Sequence, residues 1–144
     1  MQDVNCVFCK IISGKTQARI ISENNHALAF LDAFPLSAGH TLVVPKLHCP
    51  KIQDMNRKYS SAVFSLTCKV AAIVETTIEV NASTIAIHNG KEAGQEVPHV
   101  HIHIVPRSIN DGAGPIHSMF NVRPRLNEEE MDLLADKMKK SLDV

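Results

Sequence analysis

Between Pro98 and Pro106 the chain alternates histidines with aliphatic residues. In an extended chain successive side chains point to opposite faces, so this spacing predicts a strand with three imidazoles on one face. The histidines are His99, His101 and His103, and they alternate with Val100, Ile102 and Ile104. One strand histidine is usually a half-buried structural residue, but three in strict alternation favour a functional row. Such a row can supply a nucleophile, a proton donor, a phosphate partner or a metal ligand, because the pKa of imidazole lies near neutrality.

The length and charge of the chain limit the kinds of protein it can be. The chain has 144 residues, the size of one domain, which can bury roughly 70% of the surface that its unfolded form exposes. Its 15 basic residues balance 15 acidic ones, without a basic block, so we expect no nucleic-acid partner. The first residues lack a signal-peptide pattern, and no window looks apolar enough to span a bilayer. We expect a soluble cytoplasmic protein with no membrane partner, or a nuclear one in a eukaryote.

The periodicity alternates between strand-like and helix-like stretches. Strand composition, bounded by turn residues, is found at 19–23, 26–32, 41–44, 83–88 and 100–105. Apolar residues at three- and four-residue steps predict a long helix over 56–79, with Cys68 on its buried face. A second helix is predicted over 128–141, where Asn127 is the N-cap, glutamates fill the first turn and lysines the last. The pattern predicts a sheet covered by the long helix, and an irregular connection over 108–124.

Two cysteines near the amino terminus form a second pattern. Cys6 and Cys9 have the spacing of a zinc-ligand pair or of a redox pair. No strand is predicted before them, which argues against a thioredoxin-like motif. A zinc site needs two more ligands, for which His48 and His99 are candidates, and the spacing alone leaves this open. Cys49 has no partner at ligand spacing and is interpreted as an ordinary thiol.

Five segments together resemble a known family. The run His-Val-His-Ile-His-Ile-Val-Pro is similar to the signature of the histidine triad (HIT) superfamily of nucleotide hydrolases and transferases. Further segments resemble the family in the same order, at 6–12, 29–32, 38–46 and 89–95. The resemblance covers about 6–107 and is closest to the histidine triad nucleotide-binding proteins. It implies a single HIT domain over 1–144, with an α+β fold and a five-stranded antiparallel sheet. It also implies a homodimer with a ten-stranded sheet.

The resemblance implies a chemistry at the α-phosphorus of a purine nucleotide. His101 would be the nucleophile and form a nucleotidyl-histidine intermediate that water resolves. His103 and His40 would donate hydrogen bonds to the phosphoryl oxygens, although each could be a purely structural hydrogen bonder. Asp32 would bind the ribose hydroxyls, but at the end of an apolar strand it could instead cap a turn.

The remaining nucleotide contacts are also implied by the resemblance. The apolar residues enclosing the base would be Val7, Phe8, Ile11, Phe30 and Leu42. The residues near the phosphate would be His88, Gly94, Gln95, Glu96 and Val97. Gly94 would let the main chain approach the phosphate closely, whereas Gln95 could equally be a surface residue.

The resemblance raises the zinc hypothesis as well. Many relatives bind one structural zinc through a Cys-x-x-Cys pair, a histidine after the Pro-Lys strand end and the first triad histidine. Cys6, Cys9, His48 and His99 fill these four positions. A closed four-ligand site would be structural, one zinc per chain, and His99 would then not touch substrate.

Two residues depart from the family pattern. His88 stands where many relatives have Asn or Gln, and Glu96 stands where many have Ser or Thr. An ionised carboxylate cannot donate a hydrogen bond and disfavours anionic leaving groups, so Glu96 favours amine leaving groups. The resulting prediction is a purine nucleoside phosphoramidase. The alternatives are a dinucleoside polyphosphate hydrolase, a nucleotide-binding scaffold acting through partners, and a metal-storage site using the triad itself.

Overall fold

The structure is a computed structural model that describes residues 2–142. It contains two compact units, Met1–Asp111 and Gly112–Val144. The first unit holds the sheet and all residues of the predicted site. The assignment of the whole chain to a single domain stays a prediction.

The first unit is built on one antiparallel sheet. Its strands are β1 (Ile20–Glu23), β2 (Ala27–Leu31), β3 (Thr41–Pro45), β4 (Ala82–Ala86) and β5 (Ile102–Arg107). Their order across the sheet is β1-β2-β3-β5-β4, and every neighbouring pair is antiparallel. This confirms the predicted α+β fold with a five-stranded antiparallel sheet.

The histidine row begins before its strand does. The predicted strand over 100–105 starts only at Ile102 in the structure, so His99 and His101 precede β5. The register Val43↔Ile102 would, if continued, set Pro45 opposite Val100. Proline has no N–H to donate, so the ladder stops there. The N–H of Val100 instead donates to the carbonyl of Cys49 over 2.8 Å.

Three helices accompany the sheet: α1 (Val7–Ile12), α2 (Arg57–Ile78) and α3 (Glu128–Leu142). Helix α1 was not predicted from the sequence; it has only six residues and no side-chain hydrogen bond at its N-cap Cys6. Helix α2 begins as predicted, since the Asn56 side chain accepts from the N–H of Tyr59 over 3.3 Å. Cys68 lies on the exposed side of α2, not on its buried face as expected.

Helix α2 also corrects one expectation about membranes. Its 22 residues are long and apolar enough to cross a bilayer by length and composition, although no such window was expected. The core helix of a folded domain meets the same criterion. Its buried side chains pack on the sheet in one cluster, which includes Val63, Leu66, Val70 and Val74 of the helix and Ala27, Ala29, Val43, Ile102 and Ile104 of the strands.

The sheet's other face packs against α1. Leu28, Phe30 and Leu42 point to this side, because residues alternate between faces along a strand. Leu42 pairs with His103 across β3 and β5, so the histidine face is also the α1 face. The predicted site therefore lies between the sheet and the amino-terminal helix.

The second unit consists of a single 3-10 turn (Ile116–Met119) and α3. All of its described residues are exposed. Asn127 caps α3 as predicted, because its side chain accepts from the N–H of Glu130 over 2.9 Å. The Glu130 carboxylate in turn accepts from the N–H of Asn127 over 2.9 Å. This reciprocal pair is a capping box.

Candidate active site and metal centre

His101 is held with one ring nitrogen free. Its Nδ1 lies 2.7 Å from the carbonyl oxygen of His99. A carbonyl can only accept, so Nδ1 carries the proton and Nε2 of the neutral ring keeps its lone pair. Burial lowers the pKa of His101, which favours this neutral form. The ring of Phe8 packs edge-on against it at a centroid distance of 5.1 Å. The arrangement leaves Nε2 available as a nucleophile.

His40 and His103 form a relay that fixes a second tautomer. The N–H of Leu36 donates to Nδ1 of His40 over 3.1 Å, so the neutral His40 ring carries its proton on Nε2. This Nε2 lies 2.9 Å from Nδ1 of His103, which must accept. The proton of neutral His103 is therefore on its Nε2.

The Nε2 of His103 is a buried donor in need of a partner. It is buried and makes no hydrogen bond within the described residues 2–142. Burial, with neighbouring charges, lowers the pKa of His103 to about 4, and burial lowers the pKa of His40 as well. Because native proteins rarely leave buried polar groups unpaired, this N–H indicates a ligand with an acceptor oxygen. The rings of His101 and His103 lie 4.9 Å apart between centroids, so such a ligand would meet both.

The carboxylate of Asp32 caps a turn with one oxygen and faces the histidine cluster with the other. Its Oδ1 accepts from the N–H of Phe34 over 2.8 Å, which is the turn-capping bond. Its Oδ2 lies 3.6 Å from Nε2 of His40 and faces the histidine cluster. The capping bond therefore leaves one carboxylate oxygen directed toward the site.

Asp32, His40 and His103 also lie close enough together to suggest a metal site. The hydrogen bonds argue against it. A metal on Nε2 of neutral His40 would require the proton on Nδ1, where it would oppose the N–H of Leu36. The relay of hydrogen bonds explains these contacts without that conflict, so the structure does not favour a metal ion at Asp32, His40 and His103.

Most of the apolar residues predicted to enclose a base lie together beside these histidines. Phe8, Phe30 and Leu42 are buried in one cluster, against which Ile11 and Val97 pack. The rings of Phe8 and Phe30 are tilted, with centroids 5.8 Å apart. Val7 lies outside this cluster, and its side chain is 41% exposed.

The loop before the histidine row is braced by Gln95. Its Oε1 accepts from the N–H of Gly90 over 2.9 Å, and its Nε2 donates to the carbonyl of Pro50 over 2.7 Å. Gly94 in the same loop has φ +93°, a conformation that favours glycine. Glu96 is exposed. His88, at the start of this loop, has its ring 5.5 Å from that of His103 between centroids.

The four predicted metal ligands form a second cluster. One ligand atom from each of Cys6, Cys9, His48 and His99 lies within 4.8 Å of the others. Nδ1 of His99 is 3.4 Å from Sγ of Cys6 and 3.6 Å from Sγ of Cys9. Nδ1 of His48 is 3.5 Å from Sγ of Cys9. Two sulfurs and two imidazole nitrogens are a donor set that suits tetrahedral zinc.

The surroundings of this cluster fit a metal centre. Nε2 of His99 donates to the carbonyl of Pro45 over 2.9 Å, which leaves the Nδ1 lone pair facing the cysteines. Burial lowers the pKa of His99 to about 4, so its ring is neutral, as a ligand must be. The N–H of Asp3 donates to Sγ of Cys9 over 3.4 Å. Cys49 lies outside the cluster, and burial raises the pKa of its thiol to about 11.

Comparison with known proteins decides the family. The sequence model of the HIT domain matches residues 13–110. The chain belongs to the HIT family. This confirms the resemblance found in its motifs, and the matched region includes β1 to β5 and the whole histidine row.

Relatives of this HIT protein include proteins with named activities and structures. Adenylylsulfatase HINT3 from Arabidopsis thaliana is 34% identical over 91% of this chain and 66% of its own length. A histidine triad nucleotide-binding protein from Candida albicans has a TM-score of 0.82 and 26% identity, covering 96% of this chain and 98% of its own. A zinc-bound histidine triad family protein from Mycobacterium smegmatis has a TM-score of 0.70 and 33% identity, covering 96% of each chain.

Proposed function

We propose that this HIT protein is a nucleotide-binding hydrolase that acts on purine nucleoside phosphoramidates through a nucleotidyl-histidine intermediate. One observation carries the proposal. A free imidazole lone pair on Nε2 of His101 lies beside an unpartnered N–H on Nε2 of His103. A nucleophile next to a donor for a phosphoryl oxygen is the combination that phosphoryl transfer requires.

The reaction would proceed in two steps. Nε2 of His101 attacks the α-phosphorus, and the bond from phosphorus to the amine breaks. Water then attacks the same phosphorus, releasing the nucleoside monophosphate and restoring His101. The N–H of His103 would hold a non-bridging oxygen throughout, with its direction fixed by His40. Neutral rings are suited to this work, because they leave the nucleophile unprotonated.

The nucleoside would occupy the face between the sheet and α1. Asp32 has a carboxylate oxygen directed toward this face, which supports ribose binding. The apolar cluster around Phe8, Phe30 and Leu42 supports a planar base at its edge. The exposed Glu96 supports amine leaving groups over highly anionic ones.

A second substrate class is favoured by one relative. The protein from Arabidopsis thaliana is named an adenylylsulfatase, and its likeness extends over 91% of this chain. Its leaving group is an oxyanion, in contrast to the amine proposed above. An adenylyl sulfate is therefore the substrate to compare with a phosphoramidate, together with a diadenosine polyphosphate as the representative of the predicted alternative.

The second cluster would hold one structural zinc ion. The likeness to a zinc-bound histidine triad protein from Mycobacterium smegmatis supports this ion over other metals. The ion would join Cys6 and Cys9, at the start of α1, to His99 of the histidine row, and would supply stability and no chemistry. The carbonyl of His99 accepts a hydrogen bond from Nδ1 of His101. An ion that fixes the position of His99 would therefore also help to orient the proposed nucleophile.

A cytoplasmic homodimer completes the proposal. Strand β4 is an edge of the sheet, and its Ile85 is 48% exposed. An edge strand with an exposed isoleucine supports pairing with a second copy, which would extend the sheet to ten strands.

The decisive experiment replaces the nucleophile. His101→Ala should abolish turnover of adenosine phosphoramidate, adenylyl sulfate and diadenosine polyphosphate while retaining AMP binding, measured by calorimetry. In the wild-type protein, quenching with an alkaline denaturant during turnover should trap one nucleotidyl group on His101, because a phosphorus–imidazole bond survives in alkali; peptide mass spectrometry at alkaline pH would identify it. Unchanged turnover in His101→Ala, or a wild-type protein inert toward all three substrates, would overturn the proposal.

A further inference from the structure

His88 lies on the same face of the sheet as the proposed nucleophile. In the register of β4 and β5, Ala86 pairs with His103. Continuing this register by two residues sets His88 opposite His101, and paired residues share a face. The ring of His88 packs against that of His103 at a centroid distance of 5.5 Å. His88 thus borders the phosphate position from the β4 side, whereas His40 borders it from the β3 side.

The other imidazoles on this face have no proton to give. Nδ1–H of His101 is bound to the carbonyl of His99, and its Nε2 is the nucleophile. His40 uses both ring nitrogens, one toward Leu36 and one toward His103. The single N–H that His103 has left is the donor for a phosphoryl oxygen.

His88 differs from these three imidazoles in its free ring nitrogens and in its access to solvent. Its ring nitrogens make no hydrogen bond to any of residues 2–142. Its side chain is half-buried, so it can exchange protons with solvent. Its close neighbours include the ring of His103 and the main chain of Gly94, where a Cβ would stand 3.7 Å from Nδ1 of His88.

The nearby carboxylates are less suited to donate a proton. Asp32 lies beside His40, on the other side of β5 from His88, and one of its carboxylate oxygens caps a turn. Glu96 is exposed, and an ionised exposed carboxylate has no proton to transfer. A half-buried imidazole with two free nitrogens is therefore the side chain here that fits proton transfer.

We propose that His88 is the general acid that protonates the leaving amine and, in the second step, the general base for the attacking water. The assignment rests on the proposed hydrolase function. In the first step the His101 lone pair forms a bond to phosphorus, the bond between phosphorus and the amine nitrogen breaks, and the proton of the His88 imidazolium goes to that nitrogen. In the second step neutral His88 takes a proton from water while the water oxygen forms a bond to phosphorus. The bond between phosphorus and His101 breaks, and its electron pair returns to His101.

The test compares two leaving groups on the same nucleotide. An alkylamine must be protonated as it leaves, whereas p-nitrophenolate leaves readily without a proton. In His88→Gln, the rate of leaving-group release in a single turnover should fall about 100-fold for an adenosine N-alkylphosphoramidate and by less than about threefold for the p-nitrophenyl ester of AMP, because only this first step differs between the two substrates. A role in binding or in folding would lower both rates together.

Controls separate the possible failures. His117→Gln, a matched change at an exposed residue of the second unit, should leave both rates unchanged. Added imidazole should restore amine-substrate turnover in His88→Ala and not in His101→Ala. Equal losses for both leaving groups in His88→Gln, or no loss for the amine, would overturn the role of His88. A wild-type protein that turns over neither substrate would instead overturn the proposed function.

Discussion

Acid should weaken this fold through its buried neutral histidines, and His103 allows the effect to be measured. Burial first, and then the charges of His101, His40 and His88, lower the pKa of His103 to about 4. In the unfolded chain a histidine has a pKa of about 6.5. On acidification the unfolded state therefore binds this proton first. The contribution of His103 to stability is complete above the unfolded pKa and is lost as the pH falls toward the folded pKa.

The two pKa values set the size of the effect. A lowering from 6.5 to about 4 corresponds to at most about 3.4 kcal/mol once both states are fully protonated. Between pH 7 and pH 5 the linkage relation gives a loss of about 2 kcal/mol. This is a large part of the roughly 5 to 15 kcal/mol that stabilises a typical domain.

His103→Gln isolates this contribution. The Oε1 of glutamine can still accept from Nε2 of His40, and the amide does not titrate in this range. We would measure the free energy of unfolding by urea titration of both proteins at several pH values between 7 and 5. The wild-type value should fall by about 2 kcal/mol more than that of the variant. His99, His40 and His101, whose pKa values are also lowered, are present in both proteins, so the difference between the two curves reports what His103 adds. Parallel pH curves would refute the reasoning.

Two further predictions concern the metal centre and a turn. Cys9→Ser should reduce the zinc content from one ion per chain to none, measured by elemental analysis of protein purified without chelator, with a lower melting temperature; full zinc retention would contradict the assignment. Gly39→Ala should destabilise the fold by about 2 to 4 kcal/mol, because a Cβ there would lie 2.6 Å from Cγ1 of Ile78 at φ +88°. Gly14→Ala is the matched control, with φ +74° and no atom within 4 Å; urea titration should show the smaller loss for Gly14→Ala, and equal losses would argue against the clash.

Much of the fold could be predicted because apolar spacing is a local property. The five strands and α2 follow from periodicity within each segment. Helix α1 could not be found this way, since six residues are too few to show a period and too short to be stable alone. The start of β5 depends on Pro45, which lies far away in sequence and would come opposite Val100 only if the register of the folded sheet continued. Such a boundary requires knowledge of the register.

The candidate site, like the fold, could be predicted from the sequence only in part. The residue types of the metal cluster and of the histidine row are visible in the sequence, and the fold brings them together. Which ring nitrogen carries the proton is not visible, because main-chain groups decide it. The N–H of Leu36 and the carbonyls of Pro45 and His99 set three tautomers. Every residue has these main-chain groups, so no sequence pattern marks the ones that matter.

The backbone thereby gives identical side chains different chemistry. His99 is held through Nε2, which turns its Nδ1 lone pair toward the cysteines. His101 is held through Nδ1, which leaves Nε2 free as a nucleophile. His103 is held through Nδ1 by His40 and keeps an N–H for an oxygen ligand. Because the carbonyl of His99 holds His101, the cluster proposed to bind zinc is joined to the proposed nucleophile through His99. A disturbance of the metal cluster should therefore reach the nucleophile through a single peptide unit, without any change in the sheet.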